Sequence, residues 1–252
     1  MLNFSYAQRI RHLIKRLPYA EDFYNFLNTV FSPTYTEDGM RVTKNCAFLH
    51  DPSFNQAYDA LLKQAPGTKT RWRAHITQWA GFYASKLRGD FVETGVYKAA
   101  FSSSIISYIN FQTLTDRKFY LFDTYSGLVE DLISPNEGAA YKHDYEDTYQ
   151  FVIDSFKAYP NVIIVRGIVP DSLATVDIRQ VAYLSVDMNS AKPERAALEH
   201  FWPKLVDGGI VVLDDYLFPG RELQQESADE FAESVGTKIL SVPTGQGILI
   251  KI

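Results

Sequence analysis

A single cysteine, Cys46, stands in 252 residues. It excludes an internal disulfide and any cysteine-rich zinc site. No apolar run approaches the ~20 residues that a membrane span requires. No basic block interrupts a chain whose formal net charge is −5, so nucleic acid is not an expected partner. The opening stretch, MLNFSYAQRIRHLIKRL, carries charges throughout its apolar positions. It lacks the continuous apolar core and small-residue cleavage site of a signal peptide, although its spacing suits an amphipathic, basic surface helix. Internal repeats, low-complexity tracts and a defensible serine–histidine–aspartate arrangement are also missing. These absences leave a cytoplasmic enzyme or small-molecule binding protein as the expectation. What is present is ordinary: 46% apolar and 22% charged residues suit a globular fold, and the length suits a large α/β domain.

The pattern changes near residue 88. Before it, residues 5–17, 20–31, 54–64 and 71–87 have helical apolar spacing, broken by the turn-rich segment FSPTYTEDGMRVTK (31–44). After it, short apolar runs alternate with amphipathic ones. The strand candidates are DFVET (90–94), KFYLFD (118–123), NVIIVRG (161–167), VAYLSVD (181–187), GIVVLDD (209–215), TKILSV (237–242) and GILIKI (247–252). Helical stretches at roughly 98–110, 145–158, 170–178 and 193–206 separate the first five, which argues for a parallel sheet covered by helices. Only PTGQ (243–246) separates the last two strands. That is too short for a crossover helix and predicts an antiparallel hairpin.

Ligands of open α/β sheets bind beyond the carboxyl ends of the strands, and here those ends are acidic: Glu93, Asp123, Asp187 and the pair Asp214 and Asp215. A lone acid in that position is often only a cap for the following helix; its recurrence on four of the five parallel strands points to a site. After the first strand, Glu93-Thr94-Gly95 forms a tight turn into a helix. Gly95 there permits close approach of a ligand, although Tyr97 and Ala100 stand where a dinucleotide fingerprint would need further glycines. Asp123, in YLFDTYSGL, can accept both hydroxyls of a ribose or cap a local turn. The ends SVDMN (185–189) and LDDY (213–216) bring Asp187, Asp214 and either Asn189 or Asp215 together if their strands are neighbours. An oxygen-only cluster suits a hard cation such as Mg²⁺, Mn²⁺ or Ca²⁺, and not zinc. Such an ion would offset the repulsion of paired carboxylates. His75, between Trp72 and Trp79, reads as a packed helix face. His143 lies in the long polar segment 126–147, a length typical of lids, where it is either solvated or close to a substrate.

Together GDFVETGVY, YLFDTYSGL, LSVDMNSAKPERAALEHFWPKLVDGGIVVLDDY and PTGQG resemble the macrocin and mycinamicin sugar O-methyltransferase family over about residues 70–252, with a fainter echo in DGMRVTK (38–44). The resemblance implies a Rossmann-like class I methyltransferase fold: a seven-stranded, mostly parallel sheet with a terminal antiparallel hairpin. It implies a helical N-terminal extension or lid over residues 1–87 and a core over 88–252 that binds S-adenosylmethionine (SAM). It places SAM against Glu93, Thr94, Gly95 and Val96, with the ribose on Asp123 beside Ser126 and Gly127. The adenine would lie near Arg166, Gly167 and Ile168. Asp187, Asp214 and Asp215 match the family's Mg²⁺-binding acids. Asp187, Asp215 or His143 would serve as base toward a hydroxyl of a sugar or glycoside acceptor in natural product biosynthesis. Two positions depart from the pattern. Asp187-Met188-Asn189 replaces an Asp-Gly-Asp-like run, and Leu217 stands where characterised relatives carry a histidine. A metal-independent methyltransferase for other small molecules, and a non-catalytic binder of SAM or a nucleotide, are the alternatives. A homo-oligomer is compatible with all three.

Overall fold

A computed structural model describes residues 22, 33–134, 137 and 145–252. The expected helices at 5–17 and 20–31 fall outside those residues, apart from residue 22, and so does His143. The chain divides into two compact units, 1–47 and 48–252. The division therefore falls well before residue 88, and the helices at 52–64 and 71–84 belong to the unit that holds the large sheet.

The described part of the first unit is a small hairpin, β1 (Tyr35–Glu37) and β2 (Met40–Val42), where the sequence pattern suggests only turns. Asp38 and Gly39 both take positive φ, 52° and 73°. Positive φ at both turn positions makes the backbone twist match that of paired strands.

In the second unit, helix α1 (Pro52–Gln64) begins where the Asp51 carboxylate accepts the Ser53 amide at 2.8 Å and Pro52 occupies the first turn. Phe54, Ala57, Tyr58 and Leu61 fall on one face and are buried, against Ala74 of α2 (Arg71–Ala84). His75 is stacked on Phe48 at 4.1 Å and lies edge-on to Trp72; burial pulls its pKa down. It is a packed residue, as its neighbours suggest.

The main sheet contains β3 (Asp90–Thr94), β4 (Phe119–Asp123), β5 (Val162–Arg166), β6 (Val181–Val186), β7 (Leu205–Leu213), β8 (Leu240–Ser241) and β9 (Gly247–Ile250). Their spatial order is β5-β4-β3-β6-β7-β9-β8. The first five are parallel, and β9 runs antiparallel to both β7 and β8. Every residue of β6 is buried, as a central parallel strand requires when both faces are covered. Helices α3 (Ala100–Tyr108), α4 (Tyr149–Phe156), α5 (Ala191–Phe201) and α6 (Glu222–Ser234) complete the unit.

Two expectations fail locally. The stretch 170–178 holds only a short 3-10 helix, Asp171–Thr175, because Val176 already has extended backbone, φ −129° and ψ 141°. β7 starts four residues early, at Leu205, and ends at Leu213, so Asp214 and Asp215 lie beyond the ladder. Chain order reverses between β3 and β6: from β3 the sheet grows one way through β4 and the other way through β6. Such a switch point opens a crevice beyond the strand ends.

Candidate active site

Gly95 leaves β3 with φ +82°, and a Cβ built there would lie 1.8 Å from the Asp187 carbonyl oxygen, just past β6. The two strand ends thus touch through backbone, a contact only glycine permits. Beside them lies a cavity of about 210 Å³, lined by Gly95, Val96, Asp123, Gly127, Gly167, Ile168 and Asp187 among others. Seven of the residues expected from the sequence therefore meet in one cavity. Arg166, Asp214 and Asp215 do not line it, and neither do Thr94, Ser126 and Glu93. Thr94 is buried and donates to the Ser185 carbonyl. Ser126 is exposed, its amide on the Thr124 hydroxyl. Glu93 is buried beneath the turn.

Asp123 is the clamp of this region. Its Oδ2 accepts the amides of Val96 and Tyr97 at 2.6 and 2.8 Å, and its Oδ1 accepts the Tyr125 amide at 2.6 Å. The carboxylate ties the end of β4 to the turn after β3. A ribose would share its remaining lone pairs rather than own the group. Glu93 has an Oε2 with no hydrogen-bond partner among the described residues. Burial, and then the charges of Asp214 and Asp123, push its pKa well above the carboxylate range. That shift favours the neutral form, which escapes the cost of a buried unpaired charge.

Asp187, Asp214 and Asp215 each offer an oxygen, and those atoms all lie within 4.8 Å of one another. Burial, followed by the charges of Asp214 and Asp215, holds Asp187 well above the ordinary carboxylate range. Asp214 is buried and doubly held: Arg73 Nη1 donates to Oδ2 at 2.6 Å, and Gln246 Nε2 donates to Oδ1 at 2.9 Å. Neither partner stands out in the sequence. Gln246 lies in PTGQG, a visible motif whose purpose appears only when the hairpin turn is seen against Asp214. Arg73 is 141 positions away from Asp214, and no spacing rule reaches that far.

Three more residues join the site. Arg221 lies 3.7 Å from Asp215 Oδ2 and donates to the carbonyl and amide oxygens of Asn189. Glu194 accepts the Met188 amide at 3.1 Å and Gln224 Nε2 at 2.8 Å; burial, then Asp215, push its pKa up to about 8. Tyr145 lines the cavity, edge-on to Tyr97, and burial beside Asp187 and Asp215 raises it to about 12. The segment after β4 is pinned at Glu137, whose Oε2 accepts the Ser134 amide and the Ser190 hydroxyl and whose Oε1 accepts the Ala191 amide at the start of α5. The oxygen-only donors of the aspartate cluster suit a hard divalent ion. The glycine-opened, partly apolar cavity suits a nucleoside with a small charged tail.

A parallel five-stranded core with an antiparallel pair at one edge, and a cavity at its switch point, define a Rossmann-like class I methyltransferase. The solved structures most useful for comparison agree on that fold. The O-methyltransferase NovP superposes with a TM-score of 0.63 at 19% identity, over 71% of this chain and 79% of that one. The calicheamicin methyltransferase CalS11 gives 0.54 at 16% identity, over 96% and 90%. The SAH-bound methyltransferase PaMTH1 of Podospora anserina gives 0.52 at 12% identity, over 94% and 98%. The chain belongs to the macrocin O-methyltransferase (TylF) family, which it matches over residues 71–236; this is a family of SAM-dependent O-methyltransferases. Its similarity to the mycinamicin III 3''-O-methyltransferase of Micromonospora griseorubida is 25% identity over 154 residues. The match takes in 56% of this chain and spans 61% of that relative's length. Among the described residues no helix is long and apolar enough to cross a membrane.

Proposed function

We propose that this chain transfers the methyl group of SAM to a hydroxyl of a sugar or glycoside, in the cavity between β3 and β6, with a divalent cation such as Mg²⁺ at the aspartate cluster. The observation that carries the reading is the position of Asp187. It lines the cavity and belongs to the carboxylate cluster, so cofactor space and acid–base chemistry share one residue. The sugar acceptor is suggested by the family match and the mycinamicin relative.

SAM, when bound, supplies an electrophilic methyl on a sulfonium. The chain has to bind it, align it and make a hydroxyl nucleophilic. Gly95 and Val96 would carry the amino-acid end, and Asp123 the ribose. Gly167 and Ile168 would flank the base. Exposure of Ile168 at 42% leaves an apolar edge for a flat ring to cover. A cation held by Asp187 and Asp215 would lower the pKa of an acceptor hydroxyl. Asp187 or Asp215 would take the proton with a carboxylate oxygen that the cation leaves free. Leu217, which follows Asp-Asp-Tyr, is 39% exposed and has no acid–base chemistry to offer. Tyr145 stands over the same carboxylates and would orient the acceptor.

The test is methyl transfer from SAM with a labelled methyl to a panel of nucleotide sugars and glycosides, read in wild type and Asp187→Asn. The proposal expects a methylated sugar product and a loss of roughly 10²-fold or more in the variant, the usual size of a general-base contribution. Transfer to phenols or amines only, or unchanged transfer by the variant, contradicts it.

A further inference from the structure

The aspartate cluster comes with its own positive charges. Arg73, on α2, has a side chain only 16% exposed and donates to Asp214 at 2.6 Å. Its guanidinium also lies over the rings of Phe101 and Phe218, at 5.6 and 5.1 Å. Phe218 is seated in turn on Gly245, where an added Cβ would come within 2.6 Å of the ring. The PTGQG turn therefore serves the cluster twice, through Gln246 on Asp214 and through Gly245 under Phe218. Arg221, 7% exposed, stands 3.7 Å from Asp215. It also donates to the carbonyl and side-chain amide oxygens of Asn189. Each of the adjacent aspartates thus has a guanidinium of its own. Three carboxylates against two guanidiniums leave those five groups with a formal charge of −1, not −3.

We propose that Arg73 is a built-in cation of this site, a positioning residue that holds Asp214 and keeps the cluster's affinity for divalent ions low. The proposal rests on the reading of Asp187, Asp214 and Asp215 as a cation site. Arg73 and a divalent ion compete for one carboxylate oxygen, and they repel each other at close range. A guanidinium does not lose its proton in proteins, so pH does not lift the competition. The two aromatic rings hold it beside Asp214 by cation–π attraction. With Gln246 on the other oxygen, the coordination left to an ion falls mainly to Asp187 and Asp215. Arg221 moderates those from the opposite side. The cluster is then charge-balanced enough to keep its shape without metal.

The probe is Mn²⁺, titrated by calorimetry and by electron paramagnetic resonance into the full chain, with demethylated SAM binding as the check of folding. Wild type should bind Mn²⁺ weakly. Arg73→Gln should bind it about tenfold or more tightly, since one nearby unit charge has been removed. Arg73→Lys, which keeps the charge, should stay close to wild type. Phe218→Ala removes no charge but loosens the hold on the guanidinium, and should shift Mn²⁺ affinity in the same direction as Arg73→Gln. Asp187→Asn added to Arg73→Gln should abolish the gain. Unchanged or weaker Mn²⁺ binding in both Arg73→Gln and Phe218→Ala, with cofactor product still bound, overturns the proposal while leaving the cation site standing. Absence of Mn²⁺ binding in every variant overturns the proposal together with the cation reading of the cluster.

Discussion

Glu194 shows how much of this site is decided one residue at a time. In the sequence it is one acid in the run AKPERAALEH, with helical spacing and nothing to mark it. In the fold it is buried, accepts the Met188 amide and the Gln224 side chain, and faces Asp215. Its pKa rises from an ordinary 4.5 to about 8. Between those values the folded chain keeps a proton that the unfolded chain has released. Stability therefore falls as pH rises through that window, and the loss is complete above the folded value. Glu194→Gln keeps the acceptor oxygen and removes the ionisation. Its urea midpoint should fall less than that of wild type between about pH 5 and about pH 9. The flattening is partial, because Asp187, raised in the same direction, remains. Equal slopes for the two proteins would contradict the assignment. Residues such as Glu93, Asp123 and Asp187 are legible because they end apolar runs, and strand ends are where ligands bind. Arg73, Arg221 and Glu194 are not, because their roles depend on contacts that sequence distance hides.

At the scale of elements, the decisive contact is between the ends of β3 and β6. Gly95 and the Asp187 carbonyl meet where no Cβ fits, so the turn that would hold the cofactor also fixes the height of Asp187. Gly67 offers a matched control, since it has the same φ of +82° and nothing within 4 Å of an added Cβ. Gly67→Ala should cost about 1 kcal/mol, the strain of a positive φ alone. Gly95→Ala should cost clearly more, on the order of 2–4 kcal/mol, and should weaken SAM binding as well. Unfolding midpoints of the two variants measure this, and equal losses would mean that the strand ends can part freely. The five parallel strands are legible as short apolar runs between amphipathic ones, and the final hairpin from the short connection PTGQ that separates its two apolar runs. Helix α6 is harder to see. Its buried face is Gln224, Ala228, Phe231 and Ala232, so the periodicity is there but carried by a polar residue and two small ones. The 3-10 turn at 171–175 passes for a helix in the sequence because a crossover is expected after β5. β-branched Thr175 and Val176 stop it within five residues.

For the molecule as a whole, strand order follows from rules that act across the chain. β4 and β5 lie on one side of β3, and β6 and β7 on the other, and the reversal makes the crevice. The PTGQG hairpin closes the far edge of the sheet and carries Gln246 back to Asp214. Topology, cavity and acidic cluster are thus parts of one arrangement, visible in the sequence because acids sit at the strand ends. The packing of the segment after β4 leaves no such trace, since it is joined to the start of α5 only through tertiary contacts, such as Glu137 against Ser190 and Ala191. The central claim is that the crevice between β3 and β6 is a SAM site. It is tested most directly by calorimetric titration of SAM into the purified chain, with Mg²⁺ and again with chelator. The account predicts one binding site with a Kd of about micromolar order, −8 kcal/mol or so, in both conditions, because the residues lining the cavity need no metal to keep their shape. Absence of binding in both conditions would contradict it.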